Sequence, residues 1–254
     1  MEPKGWPAYV AELVGTFLLV FFICLVATVN SRGVLGVTDW AAIGLVHFLA
    51  LSLLVAAFAG ASGAHLNPAV TVTLTAMRKI RGGDAAVYIL MQFAGGVLAA
   101  LLVKALLKTA GRAANYGAPA VNHAYLSSNL GGSAAEAIGT ALLLAAIVGS
   151  AIILENRSSL TPLVIGAGLG TALLAIGPLT GGSFNPARAF GPALVGDAFN
   201  GFGTFVLVYV VGPVVGGLVA GFTIRAVYPT EAEAAEAVEP PGEPEAEVEG
   251  HAAT

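Results

Sequence analysis

Gly63-Ala64-His65-Leu66-Asn67-Pro68-Ala69 and Gly181-Gly182-Ser183-Phe184-Asn185-Pro186-Ala187 are two copies of one pattern, 118 positions apart. In each, a glycine-containing lead-in that tolerates unusual backbone angles runs into an Asn suited to cap a helix and a Pro suited to its first turn. Each copy then opens a short amphipathic run, Ala69 to Met77 and Ala187 to Leu194. Helix over 67–77 reaches only about 16 Å, roughly half of the ~30 Å hydrocarbon core of a bilayer. These are half-helices, not spans. Coil leading into a half-helix is tolerated at membrane depth only where protein buries it or a watery cavity receives its backbone groups. The pair therefore points to a pore or a midplane site.

Composition fits that setting. Of 254 residues, 57% are apolar and 10% charged, and the 33 glycines outnumber the 11 Lys plus Arg. A soluble domain carries about a quarter charged residues, so the membrane class is favoured. The net charge of −4 misleads, because residues 230–254 hold eight glutamates and no Lys or Arg. Residues 1–229 set 11 basic against 7 acidic side chains, a net of +4. The core carries no nucleic-acid footprint. The one cysteine, Cys24, lies in an apolar run and supports neither a disulfide framework nor a metal cluster, and no cofactor motif is present.

From the N-terminus, Met1 to Ala8 is a polar entry with Trp6 as an interfacial anchor, and the first span is read over Leu13 to Ser31 with Glu12 at its start. A cleaved signal peptide is discounted, since the run is too long and lacks a basic leader and cleavage site. Trp40 to Met77 holds 38 residues without Asp, Glu, Lys or Arg, too long for one span and too short for two. It divides into a span over 40–60 and the first coil and half-helix. A third span covers 85–107, and the Asn-, Ser-, Gly- and Tyr-containing stretch Thr109 to Gly132 reads as a loop. The fourth span runs from Glu136 to near Leu154, and a polar turn at 155–159 leads to a fifth over 160–178. The second coil and half-helix follow, then a sixth span over 203–227. The Ala/Glu/Pro-rich tail 230–254 is expected to be disordered.

Ala11-Glu12-Leu13-Val14-Gly15-Thr16 matches Ala135-Glu136-Ala137-Ile138-Gly139-Thr140, which makes the chain a repeat, about 9–107 and 133–227, within one unit over 1–229. Three crossings per half force the second half to enter from the opposite face, an inverted repeat whose half-helices meet near the midplane. The fold class is thus an all-α membrane protein of six transmembrane helices plus two half-helices. With both termini inside, Lys4, Arg78, Lys79, Arg81, Arg157 and Arg225 fall on the cytoplasmic side and Arg32, Lys104, Lys108 and Arg112 outside. Six against four is a slight positive-inside bias, and the cluster after the first half-helix tips the choice to cytoplasmic termini in a multi-pass cell-membrane protein.

Ser62 to Thr71, the stretch Asn185 to Ala193 and the Ala-Glu-x-x-Gly-Thr pair resemble the aquaporin (major intrinsic protein) family over residues 9–228. The resemblance implies a homotetramer with one pore per subunit, passing water and small neutral solutes through the lipid bilayer. Aligned half-helix dipoles put a positive potential, about half a charge per N-terminus, at the pore centre. Asn67 and Asn185 would each turn an amide N–H₂ to the lumen, so that a passing water accepts from both and the proton wire is broken. Simple helix capping is the plainer role for these asparagines, and both roles can hold at once. Carbonyls of Gly63, Ala64 and His65, and of Gly181, Gly182 and Ser183, would supply acceptors along the path. Glu12 and Glu136 sit at matching positions, and a lone carboxylate in a span is expensive. The resemblance implies that they accept hydrogen bonds from the coils, and a proton-relay pair is the alternative.

Arg188 is the one Lys or Arg between Arg157 and Arg225, and an Arg at that depth requires water and carbonyls around it. Counting from the asparagines, the positions matching the family's constriction are His47, Leu173, Gly182 and Arg188. Strict water channels carry Phe at the first and His at the second. The His, aliphatic, Gly, Arg set is more similar to the tonoplast-intrinsic type of plants, which implies water flow with passage of ammonia, urea or hydrogen peroxide. His123 in the long loop either folds over the mouth as a filter extension or is an ordinary loop histidine. Ala189 and Ala193 stand where glycerol-type members tend to carry Asp and a basic residue. Three classes remain in view: a water pore, a glycerol or small-polyol facilitator, and a non-conducting scaffold or coupled transporter. An enzyme is not indicated, because no nucleotide loop, catalytic dyad or metal-ligand spacing occurs.

Overall fold

The computed structural model describes residues 4–153 and 159–228. Most of the polar turn at 155–159 and the whole tail at 230–254 lie outside the described residues. Eight helices organise the rest: α1 Trp6–Val29, α2 Trp40–Ser62, α3 Pro68–Ala76, α4 Gly82–Leu106, α5 Asn129–Ile153, α6 Thr161–Thr180, α7 Pro186–Gly196 and α8 Phe202–Val227. All but α3 and α7 are long and apolar enough to cross a membrane. Their outer faces are studded with exposed Leu45, Leu53, Leu90, Leu98, Ile138, Val219 and Phe222. Apolar cover on that scale has no use in water and suits lipid. Buried polar and charged side chains, Glu12, Gln92, Glu136 and Arg188 among them, gather inside instead.

Some boundaries differ from the sequence reading. α1 begins at Trp6, so Glu12 stands well within the helix. α5 begins at Asn129, seven residues before Glu136, because Ser128 caps it by accepting from the Gly131 amide at 3.1 Å. Its early glycines resemble a breaker in sequence but serve close packing, since a Cβ on Gly132 would stand 3.0 Å from Val121. The stretch 109–132 is only partly loop: a short helix Lys108–Ala113 and a 3₁₀ turn Asn115–Gly117 fold it back onto the bundle. A further single turn spans Arg32–Leu35. The sixth span contains a π segment, Leu207–Val211, just ahead of Pro213, and α5 ends in another, Val148–Ile153.

The two halves pack alike. α1 lies against α4, where a Cβ on Gly95 would come within 2.6 Å of the Leu13 carbonyl oxygen. Gly216 of α8 makes the matching approach to Ala137 of α5. α2 and α6 cross each other at Gly44 and Gly170. The half-helices α3 and α7 sit within this frame, α3 beside α8 and α7 beside α4, and touch each other at the centre.

Candidate functional site

The coil before each half-helix adopts the same backbone twice. Gly63, Ala64 and Leu66 have φ of 89°, 48° and 49°, and Gly181, Gly182 and Phe184 have 82°, 58° and 55°. For Ala64, Leu66 and Phe184 the left-handed region is unfavourable by about 1–2 kcal/mol each, so neighbours must enforce it. Those neighbours are the two buried glutamates. Glu12 Oε1 accepts from the Ser62 hydroxyl at 2.6 Å and the His65 amide at 2.9 Å, and Oε2 accepts from the Leu66 amide and Gln92 Nε2, both at 2.7 Å. Glu136 repeats this, Oε1 accepting from the Thr180 hydroxyl at 2.6 Å and the Ser183 amide at 3.0 Å, Oε2 from the Phe184 amide at 2.7 Å. Among the described residues the second carboxylate has one partner fewer, with no counterpart to the Gln92 amide.

The side chains of Leu66 and Phe184 seat on glycines of the Ala-Glu-x-x-Gly-Thr motif. A Cβ on Gly15 would lie 2.5 Å from Leu66 Cδ2, and one on Gly139 would overlap the Phe184 ring. Two tyrosines complete the clamp: Tyr88 donates to the Ser62 carbonyl at 2.9 Å and Tyr209 to the Thr180 carbonyl at 2.7 Å. Sequence reasoning missed Gln92, Tyr88 and the clamping role of Tyr209. A usable signal existed, since Tyr88 precedes Gly95-Gly96 by the interval at which Tyr209 precedes Gly216-Gly217.

The asparagines do two things each. Asn67 Oδ1 accepts from the Ala69 amide at 2.8 Å, and Asn185 Oδ1 accepts from the Ala187 and Arg188 amides at 3.0 and 3.2 Å. Each is therefore an N-cap, with Pro68 and Pro186 in the first turns. Their amide nitrogens cross over. Asn67 Nδ2 donates to the Phe184 carbonyl and Asn185 Nδ2 to the Leu66 carbonyl, both at 2.8 Å. This strap ties the coils together and leaves one N–H on each amide for another acceptor.

Two cavities of about 210 Å³ each approach this centre from opposite sides. One is lined by Gly63, Ala64, His65, Asn67, Ser183 and Asn185 against an apolar wall that includes Leu19, Ile23, Leu143, Ile147 and Leu169. The other is lined by Trp40, Ile43, Gly117, Gly177 and Gly181. Among the described residues Arg188 alone lines both. Its Nη1 donates to the Gly117 carbonyl at 2.9 Å, while Nε has no partner among the described residues. Leu173 and Gly182 touch, to the point that a Cβ on Gly182 would overlap Leu173. His47 is 1% exposed, and its Nδ1 faces the Ile43 carbonyl at 2.8 Å. A carbonyl only accepts, so Nδ1 carries the proton and Nε2 is an acceptor without a partner among the described residues.

His123 lines neither of the two cavities that Arg188 lines. The turn fixed by Asn122, which donates to the Leu179 and Pro178 carbonyls, directs His123 into a separate pocket with Asn129, Phe199, Asn200 and Thr204, its Nδ1 3.2 Å from the Leu126 carbonyl. Asn122 itself lines the second of those cavities, with Gly117 and Gly181. Among the described residues no group of His, Cys, Asp and Glu is placed to hold a metal ion.

The profile of the family described as Major intrinsic protein matches residues 1–224. The chain is 36% identical over 233 residues to a probable aquaporin AqpM of Archaeoglobus fulgidus, covering 84% of this chain and 94% of that one. It is 35% identical over 219 residues to a glycerol uptake facilitator protein-like 6 of Lactiplantibacillus plantarum, covering 85% and 96%. Among solved structures, the X-ray structure of the aquaglyceroporin from Plasmodium falciparum superposes with a TM-score of 0.71 at 25% identity, over 87% of this chain and 96% of that one.

Proposed function

The chain belongs to the major intrinsic protein family of membrane channels, and within it we propose a passive water pore that also admits ammonia and comparable small neutral solutes while excluding protons and ions. The observation that carries this reading is that, among the described residues, Arg188 is the sole one lining both cavities, so a solute passing from one to the other meets its guanidinium. His47, Leu173, Gly182 and Arg188 then form the filter. Leu173 gives an apolar wall, Gly182 a small one, His47 Nε2 an acceptor and Arg188 Nε a donor.

Deeper in, a water molecule accepts the free N–H of Asn67 and of Asn185 at once. Its own hydrogens turn away along the pore, which interrupts proton hopping, and two half-helix N-termini, about half a positive charge each, repel cations. The Gly63, Ala64, His65, Gly181, Gly182 and Ser183 carbonyls form the acceptor ladder, set opposite aliphatic side chains that hold water weakly. Glu12 and Glu136 hold that ladder in place. The unit is residues 1–229, working as a homotetramer in the cell membrane with cytoplasmic termini. Glycerol passage is the alternative, favoured by the Leu173 wall and by similarity to a protein named as a glycerol facilitator.

The test uses proteoliposomes exposed to sucrose, glycerol and ammonium gradients. Arg188→Ala should raise glycerol or cation leak, and His47→Phe should reduce ammonia flux while water flux survives. Both variants matching the parent for every solute would mean that these residues are not the filter.

A further inference from the structure

We propose that Tyr116, which lines neither cavity, is a positioning residue for solute selection: its buried ring locks a strained turn that presents the Gly117 carbonyl to Arg188. This rests on Arg188 being the filter residue.

Gly117 supplies the one side-chain hydrogen bond that Arg188 makes among the described residues. That carbonyl sits on three successive left-handed residues, Asn115, Tyr116 and Gly117, with φ of 47°, 53° and 79°. Gly117 adopts this region freely and Asn115 tolerates it, which leaves Tyr116 as the residue that must be held there. It also has to be glycine, because a Cβ would stand 3.0 Å from Cys24 Cα and its carbonyl oxygen. A non-glycine residue in this region persists only where its surroundings over-determine it.

The surroundings here converge on the Tyr116 ring. The residue is 5% exposed and packs with Val20 and Cys24 of α1 and Ala99 and Val103 of α4. Gly111 in the same loop lies so close that a Cβ would overlap the ring, and a Cβ on Gly196, at the end of α7, would approach within 3.3 Å. Lys104 Nζ stands 5.7 Å from the ring centroid and donates to the Val195 carbonyl at 3.2 Å. One ring therefore joins α1, α4, the connecting turn and the C-terminal end of the half-helix whose first turn carries Arg188. Removing the ring frees the turn to leave the left-handed region and withdraws the Gly117 carbonyl. Arg188 then loses its fixed position while the asparagine centre is untouched.

The experiment compares the parent with Tyr116→Ala, Tyr116→Leu, Tyr116→Phe and Arg188→Ala, as full-length protein in proteoliposomes. The readout is the ratio of glycerol to water permeability, with the unfolding midpoint in detergent as control. A purely structural role would shift the midpoint and leave the ratio alone. Tyr116→Ala is expected to raise the ratio roughly fivefold, the population change that loss of one hydrogen bond allows, and Tyr116→Phe to keep the parent ratio. If Tyr116→Ala does not fold, Tyr116→Leu, which keeps apolar bulk without the plane between Gly111 and Gly196, is expected to move the ratio the same way. A parent-like ratio in folded Tyr116→Ala or Tyr116→Leu, with a raised ratio in Arg188→Ala, would overturn the role of Tyr116 and leave the filter standing. A parent-like ratio in all four variants would remove the filter reading and this inference with it.

Discussion

Replacing Glu136 by Gln changes one atom of a fully buried side chain and should loosen the whole second coil. Oε1 receives the Thr180 hydroxyl and the Ser183 amide, and Oε2 receives the Phe184 amide. A glutamine keeps one acceptor and turns an N–H₂ toward the other position. Whichever way the amide is placed, one backbone N–H, of Ser183 or of Phe184, then faces a donor. Leaving a buried donor unpaired costs about 1–3 kcal/mol. Glu136→Ala leaves both amides unpaired, so roughly twice that loss is expected. Glu12 also receives two coil amides, those of His65 and Leu66, so Glu12→Gln should behave like Glu136→Gln. The assay is chemical or thermal unfolding in detergent, paired with osmotic shrinkage of proteoliposomes. Stability should fall in the order parent, Gln, Ala, and water permeability should fall with it as the carbonyl ladder shifts. An unfolding midpoint and water flux unchanged in both Gln variants would refute the tethering argument.

Other perturbations probe the same centre from different sides. Gly139→Ala places a methyl group in the Phe184 ring and should destabilise by about 1–3 kcal/mol, with Gly15→Ala milder because the Leu66 side chain can rotate away. Unfolding midpoints check this, and a neutral Gly139→Ala would contradict the packing. Asn185→Ala removes an N-cap, worth about 0.5–2 kcal/mol, and also the strap to the Leu66 carbonyl. It should lower stability and raise proton leak, read with a pH-sensitive dye trapped in vesicles, and a tight vesicle would show that the amide does not guard the pore.

Much of this architecture was legible because lipid leaves few options. A 38-residue uncharged stretch after Trp40 can only be a span plus a re-entrant piece, and Asn-Pro at 67–68 and 185–186 marks where each half-helix begins. The Glu12 and Glu136 match was visible from the repeated Ala-Glu-x-x-Gly-Thr alone. Contacts across the two halves were not. Nothing local in Asn67 announces that its amide donates to a carbonyl 117 residues away. Gln92 reads as an ordinary polar residue until α4 is packed on α1. The stretch 109–132 was opaque for a different reason: Tyr116 holds a left-handed conformation that its own propensities disfavour, so only the packing around its ring explains the turn. His123 shows another limit: which pocket it lines depends on the turn that Asn122 fixes beside it, and residue type alone does not tell that.

The most direct measurement is stopped-flow light scattering on proteoliposomes of the unmodified protein in a sucrose gradient, repeated across temperature. Water permeability well above that of empty vesicles, with the low activation energy of diffusion through a preformed pore, is the expected result. Permeability no greater than that of empty vesicles, from protein shown to be folded and inserted, would contradict a water pore.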